Sequence, residues 1–309
     1  MRFNPKARLD TQRTRDAGRG SGGGSLGGAG ARLPIPGGMV GGGSIGTIVV
    51  VVLFIVLSQC TGLSLPGGGG SAFDTSRMAD TDRYEGCETG EDANESSDCA
   101  RVAVENSLFD FWSDELGDEF RPQGALVTFT GSVDTACGGA TSDVGPFYCP
   151  GDETIYLDAT FFEDVLERQL GGPDGGFVEP YVLAHEYGHH ISNLLGNLGK
   201  VTGETGPQST GVRLELQADC FAGMWTKHAT ETEDADGNVL LLDLSQADID
   251  NALAAAKSVG DDYIQKRSGG GVNEEVWTHG SSDQRMKWFT IGYTEGTVES
   301  CDTFGADSV

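Results

Sequence analysis

The sequence predicts an α+β domain, mostly helical with a small sheet, preceded by one transmembrane helix. Three observations predict it. Val182–Leu195 and Leu214–Trp225 place apolar residues at helical spacing. Ala125–Thr130 and Thr154–Asp158 are short runs rich in β-branched and aromatic residues and read as strands. Ile45–Leu65 carries no charge over 21 residues, about the length that spans a bilayer.

Residues 1–44 hold seven Lys/Arg against two Asp, a net +5, which leaves −32 for the remainder of a chain whose total is −27. Nineteen of the 48 glycines fall in the first 70 residues. A Gly/Arg/Ser segment buries too little apolar surface to offset its ordering entropy, so residues 1–44 are expected to be a disordered basic arm. With basic residues before Ile45–Leu65 and acidic ones after it, the positive-inside rule places the N-terminus in the cytoplasm and the rest outside. A cleaved signal peptide competes with this reading, but the preceding arm is unusually long and no clear small-x-small cleavage site stands out. A lipid-bearing Cys60 would need a small residue where Gln59 stands. The acidity of the remainder argues against nucleic acid as a partner.

Residues 66–74 read as a Gly-rich linker, and 75–303 as the folded domain. Residues 74–98 are acidic and loop-like. Val102–Trp112 has the spacing of a helix with a wide apolar face. A further helix is expected over Thr160–Leu170, ending at the glycine-rich 171–176. Gly196–Gly206 reads as a turn, Asp236-Gly237 as a tight turn, and Ser245 or Asp243 as the N-cap of an Ala-rich helix running to Val259.

The chemistry centres on His185-Glu186-Tyr187-Gly188-His189. On a helix, residues i and i+4 share a face, so His185 and His189 aim two imidazoles at one point. Two neutral imidazoles make half a tetrahedral zinc site. Glu186 is rotated roughly 100° from His185, beside the metal, where it can act as general base toward water. Glu215 and Asp219 are again i, i+4. Glu215 can be the third zinc ligand, leaving a fourth position for water. Asp219 can accept the other ring N–H of a ligating histidine, His185 in particular, and fix its tautomer.

With Glu215-x-x-Ala218-Asp219, the motif resembles the gluzincin pattern of zinc peptidases. The strings at 144–150, 155–158, 185–190, 215–223 and 278–285 resemble the bacterial neutral zinc metallopeptidase family, over roughly residues 75–300. The resemblance implies a zincin-like metallopeptidase fold, one Zn²⁺ per chain, a peptide or protein substrate, and a membrane-anchored, outward-facing domain. It also implies a substrate-binding strand just upstream of the motif helix, for which Ile155–Asp158 is the candidate. Zinc peptidases need an oxyanion donor. His279 is the candidate, with Ser281 or Ser282 capping the next helix and Arg285 orienting His279 or a neighbouring carboxylate. His190 and His228 read as structural or solvated.

Six of the seven cysteines lie beyond Cys60, an even number that fits an oxidising compartment. Six allow fifteen pairings. Locality suggests Cys87–Cys99 and Cys137–Cys149, leaving Cys220–Cys301. The rival reading is a non-catalytic extracytoplasmic domain with a structural zinc, whose fourth ligand could be Cys220. An esterase or amidase using the same chemistry is a third reading.

Overall fold

The computed structural model describes residues 1–20 and 80–309, apart from residues 169, 174, 175 and 235. The predicted membrane helix at 45–65 and the linker at 66–74 lie outside the described residues. Among those described, no helix is long and apolar enough to cross a membrane.

The architecture is α+β. Strands β1 (Arg2–Phe3) and β2 (Thr14–Arg19) precede helices α1 (Gly90–Glu95) and α2 (Ser97–Leu116). Strands β3 (Ala125–Thr130), β4 (Ser132–Thr135), β5 (Gly138–Thr141), β6 (Phe147–Cys149) and β7 (Thr154–Asp158) follow. Then come α3 (Val178–Leu194), α4 (Thr210–His228), β8 (Leu241–Asp243), α5 (Gln246–Ser258), α6 (Asp261–Arg267) and α7 (Ser282–Glu295). The main sheet has the order β2-β3-β7-β6, with β6 antiparallel and the others parallel. β1 pairs with β8, and β4 with β5, in separate two-stranded ribbons.

Strand β3 is buried along nearly its whole length. Leu126 faces the helices with Ile155 and Leu157. Ala125, Val127 and Phe129 face the β4–β5 hairpin with Tyr156. A strand covered on both sides reads as a continuous apolar run, as this one does. On the helical side, α4 is the central element. Its Gly223 and the Gly292 of α7 let these two helices touch backbone to backbone: a Cβ at Gly292 would lie 1.9 Å from the Cys220 carbonyl oxygen. The caps follow local rules. Ser245 and Ser281 each form a capping box, with Asp248 and Gln284.

Five expectations are corrected. Residues 1–20 are not a disordered arm: β2 is an edge strand of the main sheet, and Phe3 and Ala7 are buried in the main core. The 74–98 region contains α1, capped by Thr89. Thr160–Leu170 is not an α-helix but holds a π-helical stretch, Phe162–Glu167; the i→i+5 pattern suits buried Phe161 and Leu166, five residues apart. Ile155–Asp158 is not the open edge. β7 is enclosed between β3 and β6, and β6 is the edge strand on that side. The domain also extends past 303, since Val309 is buried and bonded to Gln208.

The two disulfides suggested by locality, Cys87–Cys99 and Cys137–Cys149, are present, and so is the remaining pair, Cys220–Cys301.

Candidate metal centre and active site

Helix α3 carries His185 and His189 on one face, and α4 brings Glu215 to them. The approach depends on Gly188, within the motif: a Cβ there would sit 2.9 Å from the Ala218 Cα. With only hydrogen at that point, α4 packs close enough for Glu215 Oε2 to lie 3.3 Å from His185 Nε2 and Oε1 3.5 Å from His189 Nε2. One ligand atom from each of the three residues falls within 4.8 Å of the others, and among the described residues no other such group of His, Cys, Asp and Glu occurs.

Asp219 is fully buried and accepts four hydrogen bonds. Tyr181 Oη donates at 2.6 Å, and His185 Nδ1 lies at 2.9 Å. Arg285 grips the carboxylate with both Nε (2.8 Å) and Nη2 (2.9 Å). The bidentate pair fixes the carboxylate plane, and the carboxylate fixes the imidazole, leaving Nε2 of His185 to face Glu215. Arg285 therefore serves a neighbouring carboxylate, one of the two roles expected of it. Burial opposes ionisation of Asp219, but Arg285 and His185 prevail and hold its carboxyl at about 2.

Electrostatics describe a place that favours positive charge. Burial opposes the His185 cation, yet Asp219 and Glu215 raise its pKa to about 9. Burial and the neighbouring cations lower His189 to about 4, against the pull of Glu215 and Asp219. Burial also opposes the Glu215 carboxylate, but the histidines hold it well below the usual range. Two imidazole nitrogens and one carboxylate oxygen, with their counter-charges already arranged, are the donor set that zinc takes in catalytic sites. The residues fit the ion.

Glu186 stands beside this group. Burial raises its carboxyl to about 7, against the pull of His185; the Tyr148 backbone N–H of β6 also acts on it. His185, Glu186, His189 and Glu215 each keep 7–8% of their surface accessible, so the centre is recessed but not sealed.

His279 precedes α7 and lies within electrostatic reach of Glu215. Asp261 builds its loop. One carboxylate oxygen accepts the backbone N–H groups of Thr278 (2.7 Å), His279 (2.7 Å) and Gly280 (3.0 Å), and the other lies 3.4 Å from His279 Nδ1. Burial opposes the His279 cation, but Asp261 and Glu215 raise its pKa overall. His190 is structural: Nδ1 meets Tyr148 Oη at 3.0 Å and Nε2 meets the Arg121 carbonyl at 2.7 Å. His228 is half-buried, beside Glu231.

Sequence reasoning missed Tyr181, Asp261 and Tyr148. Tyr181 stands four residues before His185 on the same helix, a signal that was available. Tyr148 lies inside the string at 144–150. For Asp261, 18 residues from His279, no local signal exists.

The family model described as "Putative neutral zinc metallopeptidase" matches residues 1–304. The uncharacterized protein YpfJ of Escherichia coli K12 is 35% identical over 306 residues, 97% of this chain and 98% of YpfJ. The uncharacterized proteins Rv2575 of Mycobacterium tuberculosis H37Rv and Mb2605 of Mycobacterium bovis are each 51% identical over 222 residues, 71% of this chain and 75% of theirs. No solved structure matches the chain.

Proposed function

The chain belongs to the neutral zinc metallopeptidase family, and on that premise we propose that it hydrolyses peptide bonds outside the cytoplasm. His185, His189 and Glu215 would hold zinc. The ion would supply Lewis acidity, polarising a carbonyl and making water more acidic. Glu186 accepts the proton of the attacking water at its carboxylate and passes it to the leaving amine. Asp219, gripped by Arg285 and Tyr181, keeps His185 in the tautomer that presents Nε2. His279, with Nδ1 turned to Thr278 and Asp261, has its other nitrogen to offer the oxyanion. An extended peptide would pair with the open edge of β6, whose Tyr148 N–H lies beside Glu186.

The observation that carries this reading is a three-donor centre with a carboxylate beside it and, among the described residues, no fourth His, Cys, Asp or Glu grouped with it. Cys220, the candidate fourth ligand of the rival structural site, is bonded to Cys301. His190 has both nitrogens engaged. Three disulfides support an oxidising location.

The test uses the whole chain, because β2 belongs to the sheet. Purified without chelator, it should hold close to one zinc per chain, lost in His185→Ala. Glu186→Gln should keep the zinc and lose hydrolysis of a mixed peptide library. Hydrolysis that survives in Glu186→Gln would sink the mechanism, and a folded parent chain without zinc would sink the metal assignment.

A further inference from the structure

The hydropathy pattern puts residues 1–44 and the domain on opposite sides of a membrane. The structure puts residues 1–20 into the domain. Strand β2 lies parallel to β3, with Thr14 opposite Leu126 and Asp16 opposite Thr128. The Leu126 N–H donates to Arg13 O at 2.7 Å and Gly20 N–H to Thr130 O at 3.0 Å. Upstream, Asn4 N–H donates to Leu240 O, Leu9 N–H to Glu88 O, and Gly90 N–H to Ala7 O.

Side chains reinforce the backbone. Arg13 Nε donates to Glu105 Oε1 at 2.8 Å, where the acid is 2% exposed, and the guanidinium lies 3.8 Å over the Phe109 ring. Asp16 is buried, accepting from Thr128 Oγ1 at 2.7 Å and Thr81 Oγ1 at 2.6 Å. The docking also explains a glycine: a Cβ on Gly90 would lie 2.0 Å from the Asn4 carbonyl oxygen.

Both ends of the intervening segment meet at one place. Thr81 N–H donates to Asp16 O at 3.0 Å, and Asp80 Oδ1 accepts from Asp16 N–H at 3.1 Å. The chain leaves the domain next to where it returns. A single crossing anywhere between Gly20 and Asp80 would put the two bodies on opposite faces of a bilayer, and a parallel strand pair cannot form through one.

The charges that suggested a cytoplasmic arm have another explanation. The positive-inside rule counts Lys and Arg near an apolar run. Of those in the arm, Arg2 pairs with Asp243, Arg8 with Asp236 and Arg13 with Glu105, all acids of the 80–309 body. A basic segment docked on an acidic domain gives the same count as a basic segment facing the cytoplasm.

We propose that residues 1–20 and residues 80–309 occupy the same side of any membrane the chain meets, so that the N-terminal strand shares the compartment of the metal centre. This does not rest on the peptidase reading. The test is sidedness in the full chain carrying Cys60→Ser and one reporter, Arg2→Cys or Asp243→Cys. Both side chains are more than half exposed, at 63% and 55%, so labelling there does not require unfolding. A membrane-impermeant maleimide is applied to intact spheroplasts, then after lysis in denaturant. The two reporters should label alike. Labelling of both only after lysis would preserve this inference and overturn the location outside the cytoplasm. One reporter reactive in intact spheroplasts and the other only after lysis would overturn the inference itself.

Discussion

Replacing Gly292 by alanine tests whether the α4–α7 crossing delivers the metal site. The added Cβ would lie 1.9 Å from the Cys220 carbonyl oxygen and 2.9 Å from the Met224 nitrogen. Ordinary C–H···O contacts sit at about 3.3–3.6 Å, so the two backbones must part by roughly 1.5 Å. Neither obstacle can rotate away, because both belong to the backbone of a helix. Helix propensity alone would make the change stabilising by about 1 kcal/mol. Overpacking costs about 1–3 kcal/mol, and a backbone-on-backbone clash belongs at the top of that range or above it. The expected net is a loss of about 2 kcal/mol or more. In urea, at about 3 kcal/mol per molar, the midpoint should fall by roughly 0.7 M. The same variant should bind zinc more weakly, since α7 carries Arg285 to Asp219, and Asp219 holds His185. A Gly292→Ala chain as stable as its parent, or more so, would refute the crossing and the path built on it.

The other predictions concern stability. Arg13→Met leaves the buried Glu105 carboxylate without its cation; breaking a buried pair costs about 3 kcal/mol or more, whereas a detached arm would give no change in the urea midpoint. Burial, with Glu105, Asp114 and Asp234 nearby, pushes Asp110 up to about 6 against the pull of Arg13. The folded state therefore keeps a proton that the unfolded chain has released between about pH 4 and 6. Asp110 thus makes stability fall as pH rises through that window, and Asp110→Asn should remove that part of the slope in denaturation series from pH 4 to 7; an unchanged slope would contradict the burial of this carboxyl. Cys220–Cys301 spans 81 residues and the other two disulfides 12 each. Loop-closure entropy puts Cys301→Ser at about 4.5 kcal/mol and Cys87→Ser at about 3; comparing their urea midpoints checks the order.

Much of the site was legible because its residues share helices. His185 with His189, and Glu215 with Asp219, are i, i+4 pairs, and the apolar positions around them keep helical spacing. Local chemistry also narrowed the caps to Ser245 or Asp243 and to Ser281 or Ser282, of which Ser245 and Ser281 serve, and announced strands β3 and β7 through their apolar runs. The first twenty residues were misread for an equally physical reason. Thr14–Arg19 is polar and has no apolar alternation. It is a strand only because β3 offers an unpaired edge, and the residues before it dock because Glu105, Asp243 and Asp236, far along the chain, meet Arg13, Arg2 and Arg8.

Periodicity, capping and the spacing of ligands act within a few residues, so the order of amino acids alone settled helices α2, α3, α4, α5 and α7, strands β3 and β7, and the half-site that each metal-binding helix carries. Packing decided the rest. It chose β6 rather than β7 as the open edge, because strand order depends on pairings between distant segments. It recruited Asp261 to the His279 loop through backbone donors that no side-chain pattern encodes. It brought Glu215 to the histidines where Gly188 lets two helices close, and it folded the basic N-terminal strand into the acidic domain, because charge and hydrogen-bond partners remote in the chain meet only when the chain is folded.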